Sequence, residues 1–275
     1  MPAAYSHYRL GQLVLDELNQ PLKHVLETNQ DLFDIGLHGP DILFYNRPYI
    51  HSKINRLGSA MHKERADIFF YQALEILKET KSAPQFAYLC GFICHYILDS
   101  NCHPYINTII KETGVTHFEI ETELDRYFMV KDRLDPLRTK LTDHIKVNDH
   151  TLNNIEPYFK ATKKELYKSL KGMKFYDRLL LAPQFYKRGL IYLVLKITFT
   201  YKRFQGFVVN YRPNKLVDPY LEKLESLFNQ SISESYEAIY NFIDVIKYDR
   251  SLSYRFEHNF KKLLLFKYNL SNCSL

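Results

Sequence analysis

The residues best suited to chemistry lie between His95 and Glu121. The run His95-Tyr-Ile-Leu-Asp99-Ser-Asn-Cys-His103 sets an imidazole, a carboxylate and a second imidazole at steps of four. Residues four apart share one face of an α-helix. His95 and Asp99 can therefore present donors to one ion from a rigid backbone. His103 follows a turn later, rotated by about 40°, which points it toward a neighbouring ion. His117 and Glu121 repeat the spacing. Imidazole plus carboxylate is a zinc-type donor set that iron and manganese also accept. A lone histidine on an apolar helix is ordinarily a satisfied core residue. Two such pairs with a third histidine between them, inside 27 residues, point instead to a metal site. Further candidates lie upstream. Asp41 sits in a Gly39-Pro40-Asp41 loop from which a carboxylate can reach a cavity. His62 follows Met61 and opens a helix, with His51 as its rival. His7 stands at the start of the first helix.

These side chains need helices to hold them. Leu10, Leu13, Val14, Leu18, Leu22, Val25 and Leu26 recur at helical steps, with Pro21 bending or ending that helix. Ala66–Thr80 reads as a second amphipathic helix. A third, strongly apolar, starts near Pro84 and runs to about Cys102, where His103-Pro104 ends or kinks it. Thr116, with Glu119 three residues on, is the N-cap of a helix from His117 to about Lys131. Arg138–Lys164 is polar loop and short helix. Pro183–Arg203 and Tyr220–Tyr248 are long helices, joined through connections at Asp177–Ala182 and Gln205–Pro219. Arg255–Tyr268 reads as a final basic, aromatic helix. The expected architecture is all-α: one multi-helix domain over residues 1–275, with the metal motifs in 1–130 and a basic helical half in 145–275.

Composition agrees with that reading. The chain has 275 residues, 46% hydrophobic and 25% charged, which excludes disordered and fibrous classes. Nine glycines are few, which disfavours a glycine-loop nucleotide fold. Four cysteines, three of them at 90, 94 and 102, suggest a reducing compartment or a metal neighbourhood rather than disulfides. No secretory signal is visible and no apolar run is long enough to span a bilayer, so the protein is expected to be cytoplasmic. The net charge of +6 is unevenly divided. Residues 1–144 hold 15 Lys and Arg against 19 Asp and Glu, and residues 145–275 hold 22 against 12. Two bound dications would neutralise the −4 of the first part.

Ser6-His7-Tyr8, Gly39-Pro40-Asp41, Gly58-Ser59-Ala60-Met61-His62, His95-x3-Asp99 and His117-x3-Glu121 together resemble the zinc-dependent phospholipase C family. That family is similar to the single-strand-specific zinc nucleases. The match is nearer to its intracellular bacterial branch, which opens with Met-Pro and carries Gly-x-x-Gly-Pro-Asp-Ile; here the segment reads Gly36-Leu-His-Gly39-Pro40-Asp41-Ile42. The resemblance implies an all-helical fold around two or three zinc ions. Asp41, His62, His95 and Asp99 would hold the first, and His103, His117 and Glu121 the second. Asp99 would bridge to a third ion bound by His7. Asp41 would also act as general base. Three departures stand out. Secreted members complete the third site with a processed N-terminal Trp, and this chain has no Trp; Pro2 after Met removal, or Met1, would have to supply the nitrogen. The Asp99-to-His103 spacing is shorter than in secreted members. The Gly-x-x-Met-His context favours His62 over His51.

The implied activity is hydrolysis of a phosphodiester by a metal-activated water, the substrate being a phosphate ester such as a phospholipid. The alternatives are a single-strand nuclease on the same scaffold and a non-catalytic, metal-stabilised binding protein. A di-iron bundle wants Glu-x-x-His pairs, and there are none. Tyr8, Phe44, Tyr45, Tyr49 and Phe92 can line an apolar cleft or sit in the core. Lys160, Lys163, Lys164, Lys168, Lys171 and Lys174, with Lys261, Lys262 and Lys267, can attract a membrane surface or nucleic acid or form an ordinary solvated face.

Overall fold

The computed structural model describes residues 4–50 and 52–261, so His51, the first three residues and residues 262–275 lie outside it. The described residues form twelve α-helices and no β-strand. In chain order these are α1 (Ala4–Glu17), α2 (Gln20–Thr28), α3 (Gln30–Gly36), α4 (Lys53–Met61), α5 (Ala66–Thr80), α6 (Ala83–Thr113), α7 (His117–Lys131), α8 (Asp149–Ile155), α9 (Lys163–Leu180), α10 (Phe185–Ile197), α11 (Tyr201–Phe204) and α12 (Leu221–Tyr248). A 3-10 turn spans Gly39–Tyr45. The all-α architecture read from periodicity is the observed one.

The long helix α6 is the axis of the molecule. Every residue from Ala87 to His103 is buried. A helix apolar on all sides must be surrounded, and α1, α3, α5, α8 and α12 pack around it. The tightest approach is to α3. A Cβ on Gly36 would collide with the Tyr88 carbonyl, and one on Gly91 with the Phe33 carbonyl. Backbone thus meets backbone, and that closeness brings the end of α3 to the level of His95.

Several expected boundaries move. Pro21 starts α2 rather than ending the first helix, and Asn19 caps it through Leu22 N–H. Proline suits the first turn of a helix because the amide it lacks has no intrahelical acceptor there. Pro104 neither ends nor breaks α6, which continues for nine residues to Thr113. Burial of Ile106 and Ile109 beyond it outweighs the proline's cost of about 3 kcal/mol. His62 closes α4 instead of opening a helix. Asp177–Leu180 belongs to α9; Asp177 is held there by Leu141 N–H and the Thr142 hydroxyl. The expected helix over Pro183–Arg203 is interrupted at Phe199, whose φ of 55° reverses the chain between α10 and α11. Residues 255–261 are not α-helical: one 3-10 turn, Tyr254–Glu257, precedes a bend at His258, a bridge residue at Asn259 and a turn at 260–261. Both Phe256 and Phe260 turn inward and are buried, a spacing that an α-helix lying on the surface also allows but that here follows a strap. The rest of that expected helix lies outside the described residues.

The α3–α6 crossing makes one prediction. Gly91→Ala meets a backbone carbonyl that cannot rotate away, so urea unfolding should show a loss of about 3 kcal/mol. Asp34, on α3, makes another. Burial pushes its carboxyl up to about 7, with Asp31 adding to the effect. A carboxyl whose folded value is raised favours folding while protonated. That contribution is lost as pH rises from about 4, the unfolded value, to about 7. The Tm of Asp34→Asn should match the parent near pH 4 and exceed it above pH 7, by the equivalent of up to about 4 kcal/mol.

Candidate metal centre

Three imidazoles have their orientation set by backbone carbonyls. His62 Nδ1 donates to Gly58 O at 2.7 Å, one turn back on α4. His95 Nδ1 donates to Leu37 O at 3.2 Å, across the α3–α6 crossing. His103 Nδ1 donates to Phe260 O at 2.7 Å, on the C-terminal strap. A carbonyl oxygen can only accept, so each Nδ1 carries a proton, and each Nε2 is left to donate to a carboxylate when the ring is protonated or to bind a cation when it is neutral. This is the arrangement by which metal-binding histidines are ordinarily held.

All three Nε2 atoms face carboxylates. His62 Nε2 lies 2.9 Å from Asp41 Oδ1. His95 Nε2 lies 3.3 Å from Asp99 Oδ2 and 3.9 Å from Asp41 Oδ2. His103 Nε2 lies 3.5 Å from Asp99 Oδ1 and 3.4 Å from Glu121 Oε1. His117 Nε2 lies 3.0 Å from Glu121 Oε1. Two groups result, Asp41–His62–His95–Asp99 and His103–His117–Glu121, and in each the donor atoms fall within 4.8 Å of one another. His7 Nε2 approaches Asp99 Oδ1 at 3.3 Å, and its ring stacks on His95. The structure therefore brings together all eight residues singled out in the sequence. His51, the rival of His62, lies outside the described residues.

Asp41 reaches the centre because of Gly39. That residue has φ of 46°, and a Cβ there would enter the His95 ring. The 3-10 turn can then pass directly over α6 and place Asp41 within it. His7 is positioned from the opposite side. Asp125 of α7 accepts from Tyr5 N–H, Ser6 N–H and the Ser6 hydroxyl, satisfying first-turn amides of α1 that have no intrahelical partner. Burial pushes the Asp125 carboxyl up to about 6.

The site is enclosed. Asp41, His62, His95, Asp99, His103, Glu121 and His7 are all buried, and His117 alone of the eight keeps about a third of its side chain exposed, at 34%. Burial opposes ionisation of Asp99, yet His103 and His95 hold its carboxyl well below the usual range. Glu121 behaves alike: burial raises it, and His117 and His103 bring it down to about 2. Burial likewise lowers His103, but Asp99 and Glu121 carry it up to about 9. Three buried carboxylates need compensating positive charge. Protons on the imidazoles supply it in one state and bound cations in another.

The arrangement fits a metal. His95 Nε2, Asp99 Oδ2 and His7 Nδ1 are buried with no hydrogen-bond partner, and orphaned buried polar atoms are rare. A cavity of about 10 Å³ lies against His7, Asp99, His103 and Glu121, the room of a single water or ion. A larger cavity, about 50 Å³, borders Asp125, Thr122 and Tyr176 and touches none of the eight residues.

Some contributors carry no sequence signal. The Leu37 and Phe260 carbonyls act through backbone, which any residue provides. Gly58 entered the sequence reading only through the Gly-x-x-Met-His resemblance; the signal for its role is that a carbonyl four residues before a histidine at the end of a helix lies under its ring. His38 and His144 pair with each other, Nε2 to Nε2 at 2.9 Å, and belong to neither group. Of the aromatic candidates, Phe92 is core, Phe44 lies beside His62, Tyr8 stacks on His144 and Tyr49 is exposed.

Fold and site together define an all-helical protein with a buried cluster of histidine and carboxylate donors able to hold metal. Residues 6–173, more than half of the chain, match the family model described as zinc dependent phospholipase C, and the chain belongs to that family. No curated protein and no solved structure matches it.

His95→Ala removes a donor that faces both Asp41 and Asp99. Elemental analysis should show at least one metal equivalent lost. Tm should fall in step, since binding at a thousandfold excess over Kd is worth about 4 kcal/mol of stability. Full metal content in this variant would disprove the assignment of the first group.

Proposed function

We propose that the protein is a zinc-dependent phosphoesterase that hydrolyses the headgroup phosphodiester of a phospholipid. The observation that carries this reading is the set of Nε2 lone pairs turned by backbone carbonyls toward shared carboxylates, in a chain of the zinc-dependent phospholipase C family. Asp41, His62, His95 and Asp99 would hold one zinc, and His103, His117 and Glu121 a second; His7 with Asp99 offers donors to a third. Iron and manganese suit the same donors. When bound, the ions supply Lewis-acid charge for the phosphoryl oxygens and acidify water at neutral pH.

The chain's own residues do the rest. Asp41, whose Oδ1 makes the close His62 contact, orients the attacking water and takes its proton at Oδ2. Asp99 sits between the groups and fixes their spacing. His117, at the exposed rim, marks where a phosphate ester enters. No thiol competes as nucleophile among the described residues: Cys90, Cys94 and Cys102 are buried and free, and burial raises all three, Cys94 to about 12. The proposed nucleophile is water, with no covalent enzyme intermediate. No described helix is long and apolar enough to cross a membrane.

The test is parallel turnover by zinc-loaded protein of dispersed phosphatidylcholine and a single-stranded oligonucleotide. Diacylglycerol and phosphorylated headgroup should appear from the lipid. Asp41→Asn should lower kcat by about 10²-fold or more. Oligonucleotide cleavage without headgroup release would favour the nuclease. Stoichiometric zinc with no hydrolysis of either would favour a structural metal.

A further inference from the structure

Helix α10 is the least buried of the long helices among the described residues. Phe185, Tyr186, Leu190, Leu193, Val194 and Ile197 are all at least half exposed, and Phe199 at the hairpin turn is 97% exposed. Positions 186, 190, 193, 194 and 197 fall at helical steps of three and four, so most of these side chains form one continuous stripe about 18 Å long. Arg188 is the only residue of α10 that is buried. Its guanidinium donates to the Ala182 and Val209 carbonyls and stacks on Tyr211. The helix is thus fastened by a polar residue while its apolar side faces out. A folded protein rarely leaves such a contiguous apolar surface without a use.

Charge indicates the use. From Arg178 to Val217 the chain has eight lysines and arginines and no aspartate or glutamate. Lys196, Lys202, Arg203, Arg212 and Lys215 are exposed. A helix with an apolar face and a basic, acid-free flank lies in the headgroup region of an anionic bilayer.

Position supplies the second argument. The segment immediately after α11, residues 205–214, is anchored to the start of α7. Phe207 packs on Phe118 at 4.3 Å, Thr122 donates to the Gly206 carbonyl, and Gln205 and Asn214 donate to Glu119. Phe118 is next to His117, the one candidate ligand with a substantial exposed edge. The segment that follows the hairpin is therefore fastened to the helix that carries His117.

We propose that the α10–α11 hairpin is a docking surface for an anionic lipid membrane, seating the His117 rim against the headgroups. The purpose of the docking rests on the phospholipid reading above, but docking can be measured without hydrolysis. A partner protein or a second copy of the chain are the competing occupants; the acid-free basic flank favours the lipid surface.

The experiment is cosedimentation of the full-length, zinc-loaded protein with vesicles of phosphatidylcholine alone and of phosphatidylcholine mixed with phosphatidylglycerol. The protein should bind the mixed vesicles and bind roughly tenfold more weakly to the neutral ones or at high salt. The exposed pair Leu193→Glu with Ile197→Glu should weaken binding to mixed vesicles by roughly tenfold or more. Its circular dichroism, metal content and turnover of a water-soluble p-nitrophenyl phosphodiester should be unchanged. Equal binding by parent and double variant overturns the proposal. So does a parent that ignores anionic vesicles, or one that is a dimer made monomeric by the substitutions. Binding without headgroup release leaves docking standing and defeats the phospholipase reading. Headgroup release from vesicles that is unaffected by the double variant does the reverse.

Discussion

One buried carboxylate holds the centre of this protein together. Asp99 faces His95 and His62 with one oxygen and His7 and His103 with the other. An ionised carboxylate out of reach of water is costly unless opposite charge and hydrogen-bond donors surround it. Four imidazoles from α1, α4 and α6 converge on it, so those helices must pack at one depth and one rotation. The surrounding fold can be understood as the apparatus that meets this constraint.

Much of that apparatus is backbone. The α3–α6 crossing is close because Gly36 and Gly91 leave no side chain between the helices. Its closeness delivers the Leu37 carbonyl to His95. The strap over residues 254–261 delivers the Phe260 carbonyl to His103. The strap itself is held by the Tyr96 hydroxyl donating to the Arg255 carbonyl, and by the Arg255 guanidinium, which reaches Glu234, Ser100 and Asn101. A protein that only needed a histidine-rich core would have no reason to point three Nε2 lone pairs inward. The carbonyls impose one tautomer on each ring, and that tautomer is the one that can bind a cation.

The charge distribution has a matching logic. The acidic residues of the first half are concentrated where cations are wanted, at Asp41, Asp99 and Glu121. Among the described residues the basic excess of the second half has two exposed parts, the lysines at 160, 164, 168 and 171 and the acid-free stretch after Arg178. The acid-free stretch takes in the hairpin and the segment after it that is fastened to α7, whereas Lys174, one member of the lysine cluster at 160–174, donates to the Thr142 and Ile145 carbonyls and acts in packing. A cation-loaded centre and a basic flank would both attract a phosphate-bearing surface, one at short range and the other over a Debye length of about 8–10 Å.

The sequence by itself determined the helical class, the span of α5 and α7, the Thr116 cap, and the pairing of His95 with Asp99 and of His117 with Glu121. Each depends only on spacing within one helix, where 3.6 residues per turn converts letters into geometry. It did not determine where α6 ends, because the burial of Ile106 and Ile109 that carries the helix past Pro104 comes from other elements. It did not determine the strap at 254–261, whose aromatic pattern suits a helix as well as an irregular segment with two buried rings. Nor could it show that Asp41, His62 and His7 meet Asp99, or which carbonyl orients which ring. Those contacts join residues up to 157 positions apart, and only the packing of one helix against another decides them.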